Sequence, residues 1–191
     1  MNRRRLLEWL SRGLATSVAA VIGLPGMKYV LAVNKDNPAN QATFSRLIRL
    51  NDLAPGRPTM VSVLGEKTDA WVNSGQQAIG QVWLVREPVG STVEGATSGQ
   101  VRAMSSTCPH MGCRIQLQGD GKNFVCPCHR ATFALNGQRL TDPRNGERNH
   151  APRDVDELES RLVEDEITGE QWVEVRYETF KTGLDHKIAG V

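Results

Sequence analysis

From Phe44 onward the chain reads as short apolar runs broken by turn residues, among them SRLIRL, TMVSVL, QVWLVRE, VRAMSS, NFVCP, RATFAL and QWVEVRYE. Within the last of these, Trp172, Glu174 and Arg176 fall on one face and Val173, Val175 and Tyr177 on the other. That is the period of a half-buried strand. Gly119-Asp120-Gly121, Asn136-Gly137 and Thr168-Gly169 punctuate the runs, and Asn136-Gly137 between TFAL and QRL is the clearest hairpin. The pattern predicts an all-β, antiparallel domain over residues 44–180. Outside the N-terminus, the one helical expectation lies around Val155–Arg161.

The N-terminus is different. Arg3, Arg4, Arg5 and Arg12 precede an uncharged run of 15 residues from Gly13 to Met27. The run reaches membrane-spanning length when Leu6–Leu10 and Tyr29–Val33 are added, with Arg12 and Lys28 snorkelling to the interfaces. Residues 1–33 are therefore expected to form a transmembrane helix. Two other readings stand beside it: a secretory signal cleaved after Val30-Leu31-Ala32, and a buried core helix. The order Arg3-Arg4-Arg5-Leu6-Leu7 is similar to a twin-arginine export signal. Basic residues stay in the cytoplasm. This places the chain in a bacterial inner membrane as a single-pass protein with its β domain on the periplasmic side. The polar stretch at residues 34–43 is expected to be a flexible linker, and residues 181–191 a flexible tail with His186 an ordinary exposed histidine.

Composition narrows the class. A formal charge of +2 over 191 residues gives no sign of nucleic-acid binding. With 5% aromatics, 18 glycines and 9 prolines, the chain suits a loop-rich β domain. The stretch Asp154–Glu170 holds eight acidic residues and reads as a solvated face.

Candidate chemistry sits in CPHMGC at Cys108–Cys113 and CPCHRATF at Cys126–Phe133, which hold all four cysteines and two of the four histidines. Six soft ligands exceed the four that one tetrahedral zinc takes. An extracytoplasmic location permits a disulfide, so four ligands and one disulfide would account for all six. A structural zinc site, or two plain disulfides with free histidines, are the blander readings. Pro109 and Pro127 stiffen the two loops, and Gly112 permits an unusual φ. His150 reads as a surface loop histidine.

The order, spacing and types of these residues resemble the Rieske iron–sulfur proteins, which typically read C-T-H-x-G-C and C-P-C-H-G-S. The likeness extends to the N-terminal anchor, the linker, and Ala151-Pro152-Arg153, which is similar to the loop that covers the family's cluster. The resemblance implies a Rieske-type β domain with a small cluster-binding subdomain and a [2Fe-2S] cluster. By the same resemblance, Cys108 and Cys126 would hold one iron, His110 and His129 the other, and Cys113–Cys128 would be a disulfide. Ferredoxins and ring-hydroxylating oxygenases of the family usually lack that cysteine pair, which points to the quinol-oxidising branch. The function implied is electron transfer from a quinol, menaquinol on the argument below, to a c-type cytochrome, beside a cytochrome b-type subunit. His129 would be the imidazole that meets the quinol. The chain would be a subunit, not an enzyme alone. The small subunit of an arsenite oxidase, and a soluble ferredoxin or zinc module, are the alternatives.

The chain departs from the family where Gly-Ser after the last histidine is Arg130-Ala131, and where the usual tyrosine is Phe133. In the family those hydroxyls hydrogen-bond cluster and cysteine sulfurs. Hydrogen bonds to the sulfurs are a main control on potential, and their loss predicts a low potential that suits a low-potential quinol. The segment Thr141–His150 is also longer than the family leads one to expect.

Overall fold

The computed structural model describes residues 2–33, 43–69, 72–87, 101–141, 146 and 148–190. The expected linker lies outside the described residues except for Thr43. The chain divides into two units, residues 1–41 and 42–191.

In the first unit, helix α1 runs Arg3–Val33. Its 27-residue stretch Arg3–Tyr29 is long and apolar enough to cross a membrane, with a mean hydropathy of 1.2 over an 18-residue window. At 1.5 Å per residue the stretch is about 40 Å long, more than the ~30 Å of a hydrocarbon layer. None of this stretch is buried, so the core-helix reading fails. Pro25 lies inside the helix and removes one backbone donor there.

The second unit is antiparallel β, as the alternation predicts. Its strands are β1 (Phe44–Arg49), β2 (Thr59–Asp69), β3 (Val72–Arg86), β4 (Val101–Ser105), β5 (Gln116–Leu117), β6 (Asn123–Val125), β7 (Thr132–Ala134), β8 (Arg139–Leu140), β9 (Glu157–Glu164) and β10 (Gln171–Arg176). Six form one sheet in the order β1-β10-β9-β4-β3-β2, and the short β5-β6-β7-β8 form another. The second sheet lies between β4 and β9 in sequence, so it is an insertion into the first. Asn136-Gly137 makes the β7–β8 turn: Gly137 has φ 88°, and the Gln138 amide donates to Asn136 Oδ1.

Strand β3 joins the two sheets physically. Its run Val82-Trp83-Leu84-Val85 is buried throughout. Successive side chains point to opposite faces of a strand. Val82 and Leu84 accordingly pack with Val63, Val101, Ala103, Leu158, Val173 and Val175 in the core of the large sheet. Trp83 and Val85 pack with Ile115, Phe124 and Phe133 in the core of the inserted subdomain. The Trp83 and Phe124 rings lie 4.9 Å apart, a contact that adds to their burial.

The expected helix around Val155–Arg161 is a strand. Residues from Glu157 onward belong to β9, which pairs with β10 from Gln171↔Glu164 to Arg176↔Glu159. Leu158 and Ser160 are buried, while Glu159 and Arg161 face Arg176 and Glu174 across the pair. The period is two, and this packing overrides the helix propensity of Glu, Leu and Arg. The acidic stretch is likewise not simply solvated. Asp154 pairs with Arg139, Asp156 with Arg153, Glu157 with Arg102, Asp165 with Arg46 and Glu170 with Arg49.

The expected flexible tail is ordered through Gly190. Phe180 and Ala189 form a bridge, the Lys181 amide donates to Ile188 O, and Lys187 Nζ donates to Glu157 O. Backbone bonds fix this turn, and they do not depend on the side-chain pattern that a sequence displays. His186 is exposed, as expected, and contacts Asp185.

Phe124 is fully buried between β3 and the inserted subdomain. Phe124→Ala is expected to cost about 3–5 kcal/mol, the range for truncating a large buried aromatic. Urea unfolding of the purified protein measures it.

Candidate metal centre

Two loops at one end of the inserted subdomain carry every cysteine. They are built alike. In the first, the Cys108 amide donates to Cys113 O (2.7 Å) and the Gly112 amide to Cys108 O (3.0 Å). In the second, the Cys126 amide donates to Ala131 O (2.8 Å) and the Arg130 amide to Cys126 O (2.9 Å). The offsets of five and four residues are the same in both. The residue four places after the first cysteine closes each loop in the left-handed region: Gly112 at φ 78° and Arg130 at φ 59°. Glycine takes that conformation freely, whereas arginine does so at a cost of roughly 1–2 kcal/mol. Among the described residues, Arg130 alone of the non-glycines has a positive φ.

Cys113 and Cys128 are joined as a disulfide with Cα atoms 6.6 Å apart, tying the loops together. Closing this link, with a sequence separation of 15, contributes on the order of 3 kcal/mol in chain-entropy terms. Cys108 and Cys126 remain free thiols and are buried. The sulfur of Cys126 lies within 4.8 Å of both disulfide sulfurs. The disulfide sulfurs are spent as ligands, which leaves the two free thiols.

The histidines are the other candidate ligands. The His110 and His129 rings meet edge to face with centroids 4.7 Å apart. His129 is exposed and His110 half-buried, and His110 Nδ1 is a buried atom with no hydrogen-bond partner. A buried polar nitrogen without a partner is costly. A ligating role would satisfy it. Burial, and then the facing imidazoles of His129 and His150, hold His110 below its ordinary value of 6.5, which favours the neutral ring that binds metal. Burial pushes the Cys108 thiol up to about 12, partly opposed by the backbone amides of His110 and Met111 at its sulfur. Two buried thiols and two imidazoles, converging from two braced loops, fit an iron–sulfur cluster with mixed ligation.

The candidate ligands and the residues at which the chain departs from the Rieske pattern, Arg130, Ala131 and Phe133, lie in or directly beside these two loops. Ala131 and Phe133 are buried beside Cys108 and Cys126, and the Thr132 hydroxyl donates to Arg130 O. His150 is exposed as expected, but its ring stacks 6.2 Å from His110, so it belongs to the rim of the site. Its place directly before Ala151-Pro152-Arg153 was the available signal. Asn149 anchors the same segment: its Nδ2 donates to Thr132 O and Leu140 O, and its Oδ1 accepts from the Ala151 amide. Part of the long segment Thr141–His150, residues 142–145 and 147, lies outside the described residues.

Paired Cys/His loops on an antiparallel β domain define an iron–sulfur electron carrier. A profile of the Rieske [2Fe-2S] domain matches residues 44–160, and the chain belongs to that family. Its cofactor is a Rieske [2Fe-2S] cluster. The chain is 24% identical over 179 residues to the cytochrome b6-f complex iron-sulfur subunit of Trichodesmium erythraeum, covering 94% of this chain and 89% of that one. It is 22% identical over 143 residues to the menaquinol:cytochrome c reductase iron-sulfur subunit of Bacillus subtilis, covering 73% and 77%. Among solved structures, it is similar to the cyanobacterial plasma membrane Rieske protein of Synechocystis, with a TM-score of 0.33, 23% identity, and 59% and 84% coverage. A chain of a hyperthermophilic respiratory complex III gives a TM-score of 0.41, 15% identity, and 83% and 98% coverage.

Arg130→Gly is expected to stabilise the protein. Relief of about 1–2 kcal/mol of left-handed strain outweighs the roughly 0.4–1 kcal/mol that a flexible glycine adds to the unfolded chain. The denaturant midpoint should rise with no change in slope.

Proposed function

We propose that this chain is the membrane-anchored Rieske subunit of a bc-type complex. It carries single electrons from a quinol, specifically menaquinol, to a c-type cytochrome. The observation that carries this reading is the pair of disulfide-tied Cys/His loops with one imidazole, His129, exposed at their tip. The curated relatives are named as subunits of such complexes, which supports the same assignment.

In this reading Cys108 and Cys126 hold one iron and His110 and His129 the other. The bound cluster supplies one-electron redox chemistry at a potential set by its ligands and their hydrogen bonds. The chain's own residues do the rest. A ring nitrogen of exposed His129 accepts the hydrogen bond of a quinol hydroxyl and takes its proton. Half-buried His110, whose buried Nδ1 has no hydrogen-bond partner, would offer that nitrogen as a ligand while its ring rests against His129. The disulfide holds the loops at a fixed separation, and the apolar side chains of Phe124 and Phe133 keep water from the thiol side. Helix α1 anchors the chain in a bacterial inner membrane, with Arg3, Arg4 and Arg5 in the cytoplasm and the β domain on the periplasmic side. The β domain takes the electron from the quinol beside a cytochrome b-type subunit and delivers it to the c-type cytochrome.

Menaquinol is favoured by what lines the site. Backbone amides of His110 and Met111 reach the Cys108 sulfur, but Ala131 and Phe133 bring no hydroxyl, and the Thr132 hydroxyl is committed to Arg130 O. Fewer hydrogen bonds to sulfur leave the reduced, more negative state less stable.

His110→Ala and His129→Ala are each expected to abolish the low-average-g electron paramagnetic resonance signal of the detergent-purified protein. A fully assembled, unchanged signal in either variant overturns the ligand assignment.

The double substitution Ala131→Ser with Phe133→Tyr is expected to raise the midpoint potential. The size is on the order of 100 mV, taking about 1 kcal/mol per added bond and one electron. Redox titration reads it, and an unchanged potential removes the basis for menaquinol.

A further inference from the structure

The C-terminal segment reaches the candidate site. Residues 179–190 double back on themselves: the Gly190 amide donates to Thr179 O (2.6 Å) and the Lys181 amide to Ile188 O (2.9 Å). At the tip of this turn, the Gly183 amide donates to Pro109 O (2.8 Å), between Cys108 and His110. Gly183 has φ 79°, and a Cβ built there would lie 3.8 Å from His110 O, so the turn and the first loop touch backbone to backbone.

The same turn is bound to the segment Ala151-Pro152-Arg153. Arg153 is buried, and its guanidinium makes a two-pronged pair with buried Asp156, Nε to Oδ1 at 2.8 Å and Nη2 to Oδ2 at 2.7 Å. Its remaining reach goes to the turn: Nη1 donates to Leu184 O (2.6 Å) and Nη2 to Lys181 O (2.8 Å). Lysine, a point charge with three donors, cannot reproduce this planar fork. From the other side, Arg139 on β8 donates to Ala151 O and Pro152 O. A continuous chain of hydrogen bonds thus runs from β8 through residues 151–153 and the C-terminal turn to Pro109.

We propose that the C-terminal turn is a strap, locked by Arg153, that positions the His110-bearing loop and retains the cluster. Arg153 is a positioning residue in this scheme, acting through Lys181 O, Leu184 O and the Gly183 amide. The inference rests on the Rieske reading of the two loops. The strap explains why an arginine with four side-chain hydrogen bonds is buried here: removing it would leave the buried Asp156 carboxylate, and the Lys181 and Leu184 carbonyls, without these donors.

The test uses the full chain, solubilised in detergent with its cluster. The variants are Arg153→Gln, Arg153→Lys and a truncation after Phe180. Iron release to a chelator is timed, the resonance g values are recorded, and urea unfolding is followed. Arg153→Gln and the truncation are expected to release iron about tenfold faster or more, the loss of one or more charge-assisted bonds. Their surviving clusters should show shifted g values, since the His110 loop is no longer braced. Arg153→Lys should fall between. A merely structural role would lower the urea midpoint and leave the g values of the surviving cluster untouched, which overturns the proposal. Unchanged iron release and g values in the truncated protein overturn it as well, whether or not Arg153→Gln folds. If the wild-type protein itself gives no Rieske signal, the functional reading fails, and this inference with it.

Discussion

The two loops that carry the candidate ligands must be held against each other, and neither has a core of its own. The Cys113–Cys128 disulfide meets that constraint. It fixes the loops against each other without using their free thiols. Each loop then needs only to hold its own shape, and the repeated pair of backbone bonds does this in both. The arrangement requires a left-handed residue at the fourth place. One loop meets the requirement with glycine and the other with Arg130 under strain. Strain of this kind persists only where surrounding structure over-determines it. Here the over-determination is visible: the Arg130 amide bonds back to Cys126 O, its carbonyl accepts from Thr132, and Cys128 two residues earlier is covalently fixed.

The braced loops also need a rigid support. Strand β3 provides it, because its alternate side chains belong to two cores at once. The inserted subdomain cannot rock on the large sheet without withdrawing Trp83 and Val85 from one core or disturbing Val82 and Leu84 in the other. Interiors are packed like crystals, so such motion meets resistance early. Cys108 and Cys126 are themselves members of the smaller core, which carries the rigidity of the sheet to the donor atoms.

Much of this was legible in the chain. The alternation of Val173 and Val175 with Glu174 signals a sheet, Asn136-Gly137 signals its hairpin, and the spacing of Cys108, His110, Cys126 and His129 marks the two candidate loops. Each is a local pattern with a local physical cause. What escaped was non-local. Glu157–Glu164 carries helix-forming residues and becomes a strand because β10 and β4 are there to pair with it. The polar C-terminal residues have no apolar period, and their order comes from carbonyls bonded to Arg153 and from Pro109 O. His150 carries no ligand spacing, and only folding brings it beside His110. The left-handed backbone of Arg130 is invisible because arginine is the residue one expects least there.

The donor site also contains an electrostatic problem that the fold resolves. Two cysteine sulfurs close together in an apolar core cannot both be thiolates without a cation, since burial and like charge both disfavour the second charge. With no metal bound, the Cys108 thiol stands at about 12 and keeps its proton. The metal-free domain therefore carries no uncompensated charge at Cys108. A metal held at this sulfur would have to displace that proton, so its binding would release a proton and be favoured as pH rises. On the other side of the site the requirement is the reverse. His110 is held below its ordinary value, so its ring is already neutral and needs to lose no proton near neutral pH. The loops thus hold a protonated thiol on the buried side and a neutral His110 imidazole on the side nearer water. The asymmetry follows first from burial: the same desolvation that keeps a thiol neutral by holding its proton keeps an imidazole neutral by removing one, and the Cys126 sulfur beside the thiol and the His129 and His150 rings beside the imidazole push the same way.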